Sequence, residues 1–184
     1  MIVVYGASSS GKSNIAENIA VSLAGKSKRH KLYYIATMEK ESRTAAIRIA
    51  RHRKLREGKG FITIEEELDM NKITVARGSV ILLECVSNLV ANVLFNRYKI
   101  QPIPDSEVDA ISYEIAESIV ELSRDNELIV VTNNVFNNYY YADKWCDGYM
   151  KVLGRVNEIL AEKGENFIEV TAGIENVLKG ENYW

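Results

Sequence analysis

The segment from residue 6 to residue 13 constrains the fold of this chain more than any other part of the sequence. It reads G-A-S-S-S-G-K-S, which fits the pattern G-x-x-x-x-G-K-[ST] of a phosphate-binding loop. The segment follows a short apolar run, residues 1–5, and opens a stretch with helical spacing. This is the strand–loop–helix context that such a loop requires. The alternative is a chance glycine–serine turn between a strand and a helix.

A loop of this kind wraps phosphate oxygens with backbone N–H groups, and the N-terminus of the following helix adds partial positive charge. We therefore expect Lys12 to contact the β- and γ-phosphates of a nucleoside triphosphate and Ser13 to be a ligand of Mg²⁺. The loop residues predicted to bind nucleotide are Gly6, Ala7, Ser8, Ser9, Ser10, Gly11, Lys12 and Ser13.

Apolar, β-branched runs alternate with segments of helical periodicity along the chain. The predicted strands lie near residues 1–5, 32–36, 61–64, 80–84, 128–132 and 167–170. This alternation predicts an α/β fold, a doubly wound, mostly parallel sheet flanked by helices, as in P-loop NTPases of the RecA-like type. Because no linker, repeat or low-complexity tract interrupts the pattern, we expect a single domain over residues 1–184.

The composition favours a globular protein over a membrane-spanning or nucleic-acid-binding one. Hydrophobic residues make up 47% of the chain and charged residues 26%, and the net charge of -2 provides no basic field for nucleic acid. No apolar run approaches the length of a membrane span, and no charged leader precedes the first strand. Cys85 and Cys146 are expected to be reduced thiols, so the sequence predicts a cytoplasmic protein.

An acidic residue ends the buried strand predicted at residues 80–84. Enzymes with a phosphate-binding loop usually carry such a residue at a strand end, where it holds the metal or its water. Glu84 is the only acidic residue that directly follows a run of this kind. We interpret it as a metal ligand, because a buried carboxylate needs a cationic partner. The alternative is a glutamate that faces solvent at the end of the strand.

A basic segment between residues 43 and 59 is the most unusual part of the sequence. It reads as a helix in which Arg48, His52 and Arg56 lie on one face, with Arg51 beside them. Neighbouring cations disfavour a protonated imidazole, and a neutral ring could attack phosphorus while the arginines hold triphosphate oxygens. The alternative is a solvated basic helix with an incidental histidine.

Short motifs, in a fixed order over nearly the whole chain, resemble those of a known family. They are Ser13-Asn-Ile-Ala16-Glu17, Tyr34-Ile35-Ala36-Thr37, Arg48-Ile49-Ala-Arg51-His52-Arg53 with Arg56, Thr63-Ile-Glu65-Glu66, Leu83-Glu84-Cys85 with Asn92, Val131-Thr132-Asn133, Gly154-Arg155-Val156-Asn157 and Ala172-Gly173. On these motifs the chain resembles the adenosylcobinamide kinase / adenosylcobinamide-phosphate guanylyltransferase family.

The resemblance implies a bifunctional transferase of cobalamin biosynthesis. ATP or GTP would phosphorylate the aminopropanol hydroxyl of adenosylcobinamide, a corrinoid, and GTP would then transfer GMP onto that phosphate through a guanylylated histidine, which maps onto His52. The family is trimeric, which implies a homo-oligomer here. The implied catalytic residues are His52, Lys12 and Glu84, the implied Mg²⁺ ligands Ser13 and Glu84, and the further implied nucleotide contacts Tyr34, Ala36, Thr37, Arg48, Arg51, Arg56 and Glu65.

The chain also departs from the family pattern. Glu84 stands where the family usually has aspartate, and Ser42, Thr44 and Ala45 replace an acidic pair and a methionine. The segment 134–138 and the tyrosines at 139–141 replace a glutamate and a glycine-rich loop, so we expect altered corrinoid contact there; packing of the tyrosines in a loop or interface is the alternative. Another small-molecule kinase and a catalytically lapsed nucleotide-binding regulator are the competing functions, and retention of Lys12 and His52 argues against the second.

Overall fold

The computed structural model of the chain describes residues 1–26, 31–39, 49–50, 52–54, 56–135 and 143–181. Its strands are β1 (Ile2–Gly6), β2 (Leu32–Ala36), β3 (Ile62–Glu65), β4 (Val80–Glu84), β5 (Glu127–Asn133), β6 (Asn166–Thr171) and β7 (Ile174–Lys179). Its longer helices are α1 (Lys12–Gly25), α2 (Val86–Tyr98), α3 (Asp105–Glu121) and α4 (Lys144–Lys163), with a short 3-10 turn at Met70–Lys72.

All seven strands form one sheet in the order β3-β2-β4-β5-β1-β6-β7. Every neighbouring pair is parallel except β6 and β7, which are antiparallel. The predicted α/β fold, a mostly parallel sheet flanked by helices, is therefore confirmed. Within the part of the chain that the structure describes, no helix is long and apolar enough to cross a bilayer.

The strands are apolar along their whole length because both faces of the sheet are covered. In β4, Val80 and Leu82 pack on the side of α1, whereas Ile81 and Leu83 pack on the side of α2, α3 and α4. All four side chains are fully buried. Burial of a side chain of this size stabilises the fold by about 1.5–3 kcal/mol. A continuous apolar run, rather than an alternating one, is thus what this buried parallel strand requires.

The last strand corrects the sequence-based prediction, which placed the final strand at residues 167–170. After β6 the chain turns through Ala172 (φ 53°) and Gly173 (φ 80°) and returns as β7. Two residues with positive φ make the tight turn that suits a two-residue hairpin. β7 escaped prediction because it is an edge strand with mostly exposed side chains, so its residues show no apolar run or alternation.

The helix α3 begins without a side-chain cap. The cap position is Pro104, whose side chain accepts no hydrogen bond. Asp105 is the first helical residue and Glu107 lies in the same turn. Their negative charges interact favourably with the helix N-terminus without acting as caps.

A buried ion pair holds the basic segment against α1. Lys59, in the turn that ends this segment, lies with Nζ 2.5 Å from Oε2 of Glu17 on α1. The Glu17 side chain is only 2% exposed, whereas that of Lys59 is 30% exposed. Because the Glu17 carboxylate is shielded from water, the ammonium group of Lys59 is needed to offset the cost of burying its charge.

We expect Lys59→Ala to lower the free energy of unfolding by about 1–3 kcal/mol, since it leaves the Glu17 carboxylate buried without its cation. Urea unfolding followed by circular dichroism measures the change. Lys54→Ala, at an exposed position of the same segment, is the matched control and should change the stability little. Equal stability of the Lys59 and Lys54 variants would contradict this role of the ion pair.

Candidate functional site

The carboxyl ends of the central parallel strands meet at one edge of the sheet. Gly6 of β1 is in register with Asn133 of β5, and Ala36 of β2 is in register with Glu84 of β4. In open α/β sheets ligands bind at this edge. Residues far apart in the sequence are therefore brought to one place by the strand order.

The loop from Gly6 to Ser13 joins β1 to α1 at this edge, as predicted. A Cβ atom on Gly6 would lie 2.5 Å from the carbonyl oxygen of Val170, so only glycine fits there. Gly11 has a φ of 97°, in the left-handed region that favours glycine. The backbone N–H of Gly173 donates to the Ser10 carbonyl oxygen at 2.8 Å, so the β6–β7 turn supports the loop. This geometry favours a phosphate-binding loop over an incidental glycine–serine turn.

Lys12 is held within the curve of the loop. Its side chain is 7% exposed, and Nζ donates to the carbonyl oxygen of Ala7 at 2.9 Å. An ammonium group held among the backbone groups of an anion-binding loop is placed to attract phosphate oxygens.

Glu84 is buried at the end of β4, with both carboxylate oxygens in hydrogen bonds. Ser13 donates to Oε1, and the Tyr34 hydroxyl donates to Oε2 at 3.0 Å. Burial, and then the neighbouring Glu84 carboxylate, raises the pKa of the Tyr34 phenol, so this hydroxyl remains a donor. The alternative of a solvent-facing glutamate is wrong, because the side chain is only 9% exposed.

The described part of the basic segment approaches the same carboxylate. Residues 49, 50, 52–54 and 56 are helical, and Nδ1 of His52 lies 3.8 Å from Oε1 of Glu84. The Arg56 guanidinium stacks on the Tyr34 ring, 3.4 Å from its centroid, and is buried. A wholly solvated basic helix is therefore the wrong interpretation of this segment. Arg48 and Arg51 lie outside the described residues.

A cavity of about 400 Å³ lies between these groups. It brings together residues 8–13 of the loop with Tyr34, Ala36, His52, Arg56 and Glu84. Seven further lining residues were not among the predicted site residues; they are Asn14, Met38, Ile49, Cys85, Asn88, Val131 and Asn133. Asn88 follows the end of β4 by four positions, in the first turn of α2. A search of the helix starts after each predicted strand could have identified it.

Thr37 and Glu65 do not line this cavity, although both were expected to contact nucleotide. The Thr37 hydroxyl donates to the Cys85 carbonyl oxygen and accepts from the Cys85 N–H, both at 2.8 Å. Thr37 therefore ties the end of β2 to the start of α2. Glu65, at the end of β3, forms an ion pair with Arg53 at 2.7 Å.

Cys85 lines the cavity beside Glu84 but does not offer a second nucleophile. Burial raises the pKa of its thiol, which keeps the sulfur protonated and unreactive. Cys85 and Cys146 are both free of disulfide bonds, as expected. His52 remains the candidate nucleophile that the family resemblance implies.

Asn133, at the end of β5 and in register with Gly6, also lines the cavity. Its side-chain amide donates to the Ser87 hydroxyl at 2.5 Å, and Asn134 N–H donates to the Gly6 carbonyl oxygen at 2.9 Å. The segment in which the chain departs from the family pattern begins here. Residues 136–142 lie outside the described residues, so the expected change in corrinoid contact stays a prediction.

Comparison with known proteins supports what the geometry indicates. The family model described as cobinamide kinase / cobinamide phosphate guanyltransferase matches residues 2–178. The bifunctional adenosylcobalamin biosynthesis protein CobU of Escherichia coli (strain K12) is 32% identical over 183 residues. That alignment covers 95% of this chain and 97% of the relative. The likeness therefore extends over the sheet, the loop and the basic segment together.

Proposed function

The chain belongs to the cobinamide kinase / cobinamide phosphate guanyltransferase family, and on this premise we propose which of its residues carry the two reactions. It is a bifunctional transferase of cobalamin biosynthesis, which phosphorylates cobinamide and transfers a guanylyl group to cobinamide phosphate. The observation that supports one shared site is that the Glu84 carboxylate contacts both Ser13 of the phosphate-binding loop and, at 3.8 Å, His52.

In the kinase step the loop N–H groups and Lys12 hold the triphosphate while the cobinamide hydroxyl attacks the γ-phosphorus. The bond from the γ-phosphorus to the bridging oxygen breaks, the nucleoside diphosphate leaves with the electron pair, and the proton of the hydroxyl is released to solvent. Such transfers depend mainly on positioning and on stabilising charge at the phosphate oxygens. The buried ammonium of Lys12 supplies that charge.

Mg²⁺ fits the pair of oxygen donors that Ser13 and Glu84 offer. The two side chains already share a hydrogen bond, and both present the hard oxygen ligands that this ion prefers. No cluster of three or more acidic, cysteine or histidine side chains suited to a metal occurs among the described residues. This agrees with an ion held by one or two protein ligands and by phosphate oxygens. When bound, it neutralises charge on those oxygens.

In the guanylyltransferase step His52 attacks the α-phosphorus of GTP, and pyrophosphate leaves. The phosphate of cobinamide phosphate then displaces the histidine. Arg56 is buried in the cavity wall and its Nη1 has no hydrogen-bond partner among the described residues, which suits it to hold phosphate oxygens. Arg48 and Arg51 are assigned the same role from the family resemblance alone.

Four further expectations complete the proposal. The corrinoid is adenosylcobinamide, and residues 1–184 act as a single nucleotide-binding domain. The protein works in the cytoplasm as a homotrimer. The family match over residues 2–178 argues against an unrelated small-molecule kinase.

Incubation with adenosylcobinamide, Mg²⁺ and either ATP or GTP tests the assignment. We expect adenosylcobinamide phosphate from both nucleotides and adenosyl-GDP-cobinamide only when GTP is present, as measured by chromatography and mass spectrometry. Glu84→Gln keeps the size of the side chain but removes its charge, so phosphoryl transfer should fall about 100-fold while the protein stays folded.

The matched control is Glu66→Gln, because the hydrogen bonds that Glu66 accepts among the described residues are local ones, from the backbone N–H groups of Leu68 and Asp69. This variant should keep the activity of the wild type. Formation of no corrinoid product by the wild type would contradict the proposed function. Equal loss of activity in the Glu66 and Glu84 variants would contradict the role given to Glu84.

A further inference from the structure

The two ring nitrogens of His52 have different surroundings. Nδ1 is buried and has no hydrogen-bond partner among the described residues, and Oε1 of Glu84 lies 3.8 Å from it. The side chain as a whole is 23% exposed and lines the cavity. Nδ1 therefore contributes nothing to that exposed surface, which belongs to the other atoms of the side chain.

A buried nitrogen beside a buried carboxylate indicates which tautomer the ring adopts. The distance of 3.8 Å is longer than a hydrogen bond, and a small rotation of the His52 ring would close it. A proton on Nδ1 then has an acceptor, whereas an unprotonated Nδ1 would bring a lone pair towards a carboxylate. The hydrogen bond that one ring nitrogen makes therefore determines whether the other ring nitrogen carries a proton.

The Glu84 carboxylate is itself held in place. Tyr34 donates to Oε2 at 3.0 Å, which leaves Oε1 directed towards Ser13 and His52. Arg56 stacks on the same tyrosine ring at 3.4 Å, so the orientation of the carboxylate and the position of the guanidinium depend on one side chain. A fixed acceptor of this kind can select one ring orientation of a neighbouring histidine.

We propose that Glu84 is a positioning residue for His52, that it holds the proton of the ring on Nδ1, and that the guanylyl group is therefore carried on Nε2. This inference rests on the proposed function, in which His52 is the nucleophile. The Nε2 lone pair forms the bond to the α-phosphorus of GTP, and the bond to the bridging oxygen breaks as pyrophosphate leaves with its electron pair. The Nδ1 proton stays in place, shared with Oε1.

The same arrangement serves the second half of the transfer. An oxygen of cobinamide phosphate attacks the α-phosphorus, the bond from phosphorus to Nε2 breaks, and the electron pair returns to Nε2. The carboxylate stabilises the positive ring while the guanylyl group is attached. Glu84 would thus act in both activities, on Ser13 and the metal in one and on His52 in the other.

The position of the guanylyl group can be read directly by nuclear magnetic resonance. The wild type is incubated with GTP, Mg²⁺ and pyrophosphatase in the absence of cobinamide phosphate, so that the covalent form accumulates. A phosphorus on Nε2 couples to both ring C–H protons, whereas a phosphorus on Nδ1 couples to Hε1 alone. We expect coupling to both protons, with His30→Gln used to assign the signal to His52.

Two variants separate positioning from the metal role. Glu84→Gln retains an oxygen that can accept from Nδ1, so we expect the label that forms, at whatever rate, to lie on Nε2. Glu84→Ala has no acceptor, so we expect about 100-fold slower guanylylation and label on both nitrogens. Nitrogen-15 spectra of the nucleotide-free proteins should show the proton on Nδ1 in the wild type and in Glu84→Gln, and a shift towards Nε2 in Glu84→Ala.

Label on Nδ1 of the wild type would overturn this inference while leaving His52 as the nucleophile. An unchanged tautomer in Glu84→Ala would overturn it as well. Absence of any label on His52 in the wild type would instead overturn the proposed function, on which the inference depends.

Discussion

Replacing Lys12 with alanine is expected to abolish tight binding of nucleoside triphosphate and with it both transfer reactions. The ammonium group lies inside the curve of the phosphate-binding loop, where its side chain is 7% exposed. Loss of one charge-assisted contact weakens ground-state binding by about 1.5–3 kcal/mol, or roughly 10- to 100-fold. The loss in turnover is larger, about 100- to 1000-fold, because charge on the transferring phosphate oxygens is stabilised most in the transition state.

Calorimetric titration with a non-hydrolysable triphosphate measures the loss of binding affinity, and the rate of product formation measures the loss of turnover. Lys31→Ala is the control, because Lys31 is exposed and precedes β2, at the opposite edge of the sheet from the cavity. Its affinity and turnover should equal those of the wild type. Circular dichroism checks that the Lys12 variant is folded. Unchanged affinity and unchanged turnover in a folded Lys12→Ala protein would remove this residue from the site.

Replacing His52 with alanine should eliminate guanylyl transfer while leaving nucleotide binding by the loop. The Cys85 thiol in the same cavity is a poor substitute, since burial raises its pKa. A phosphoramidate on histidine is acid-labile and comparatively stable to base, unlike the phosphoester of a serine. The two linkages are therefore distinguished by pH after the protein is denatured.

Incubation with α-labelled GTP and Mg²⁺, followed by denaturation at low and high pH, measures this directly. The wild type should retain acid-labile label from α-labelled GTP and none at this site from γ-labelled GTP, and His52→Ala should retain none from either. His30→Gln, which alters the only other histidine in the chain, should label like the wild type. Label that persists in His52→Ala would place the nucleophile elsewhere. Absence of label on the wild type would contradict a guanylylated intermediate, and only the kinase step of the proposal would then remain.

The phosphate-binding loop and the parallel sheet could be predicted because both depend on local spacing. The pattern from Gly6 to Ser13 requires a strand before it and a helix after it, and β1 and α1 supply them. Continuous apolar runs such as Val80–Glu84 identify strands covered on both faces. In the same way Lys12, Ser13, Glu84 and His52 could be selected by residue type and by their position after a strand or along a helix.

The contacts among those residues could not be predicted, because they depend on strand order and register. Ser13 and Glu84 are 71 positions apart, and Tyr34 and Glu84 are 50 apart, yet all three meet. They meet because β2 and β4 are adjacent and in register at Ala36 and Glu84. The sequence suggested purely cationic surroundings for His52, and only the fold brings a carboxylate to its buried nitrogen.

The sequence by itself determined the chemistry available to this protein: a loop that binds phosphate, a strand-end carboxylate and a histidine in a basic segment. The tertiary structure decided which groups act together. In the folded chain the Thr37 hydroxyl donates to the Cys85 carbonyl oxygen, Lys59 forms an ion pair with Glu17, and Arg56 stacks on Tyr34. Residue type and spacing are local properties of a chain, whereas these pairings form only after non-adjacent strands and helices pack around a common core.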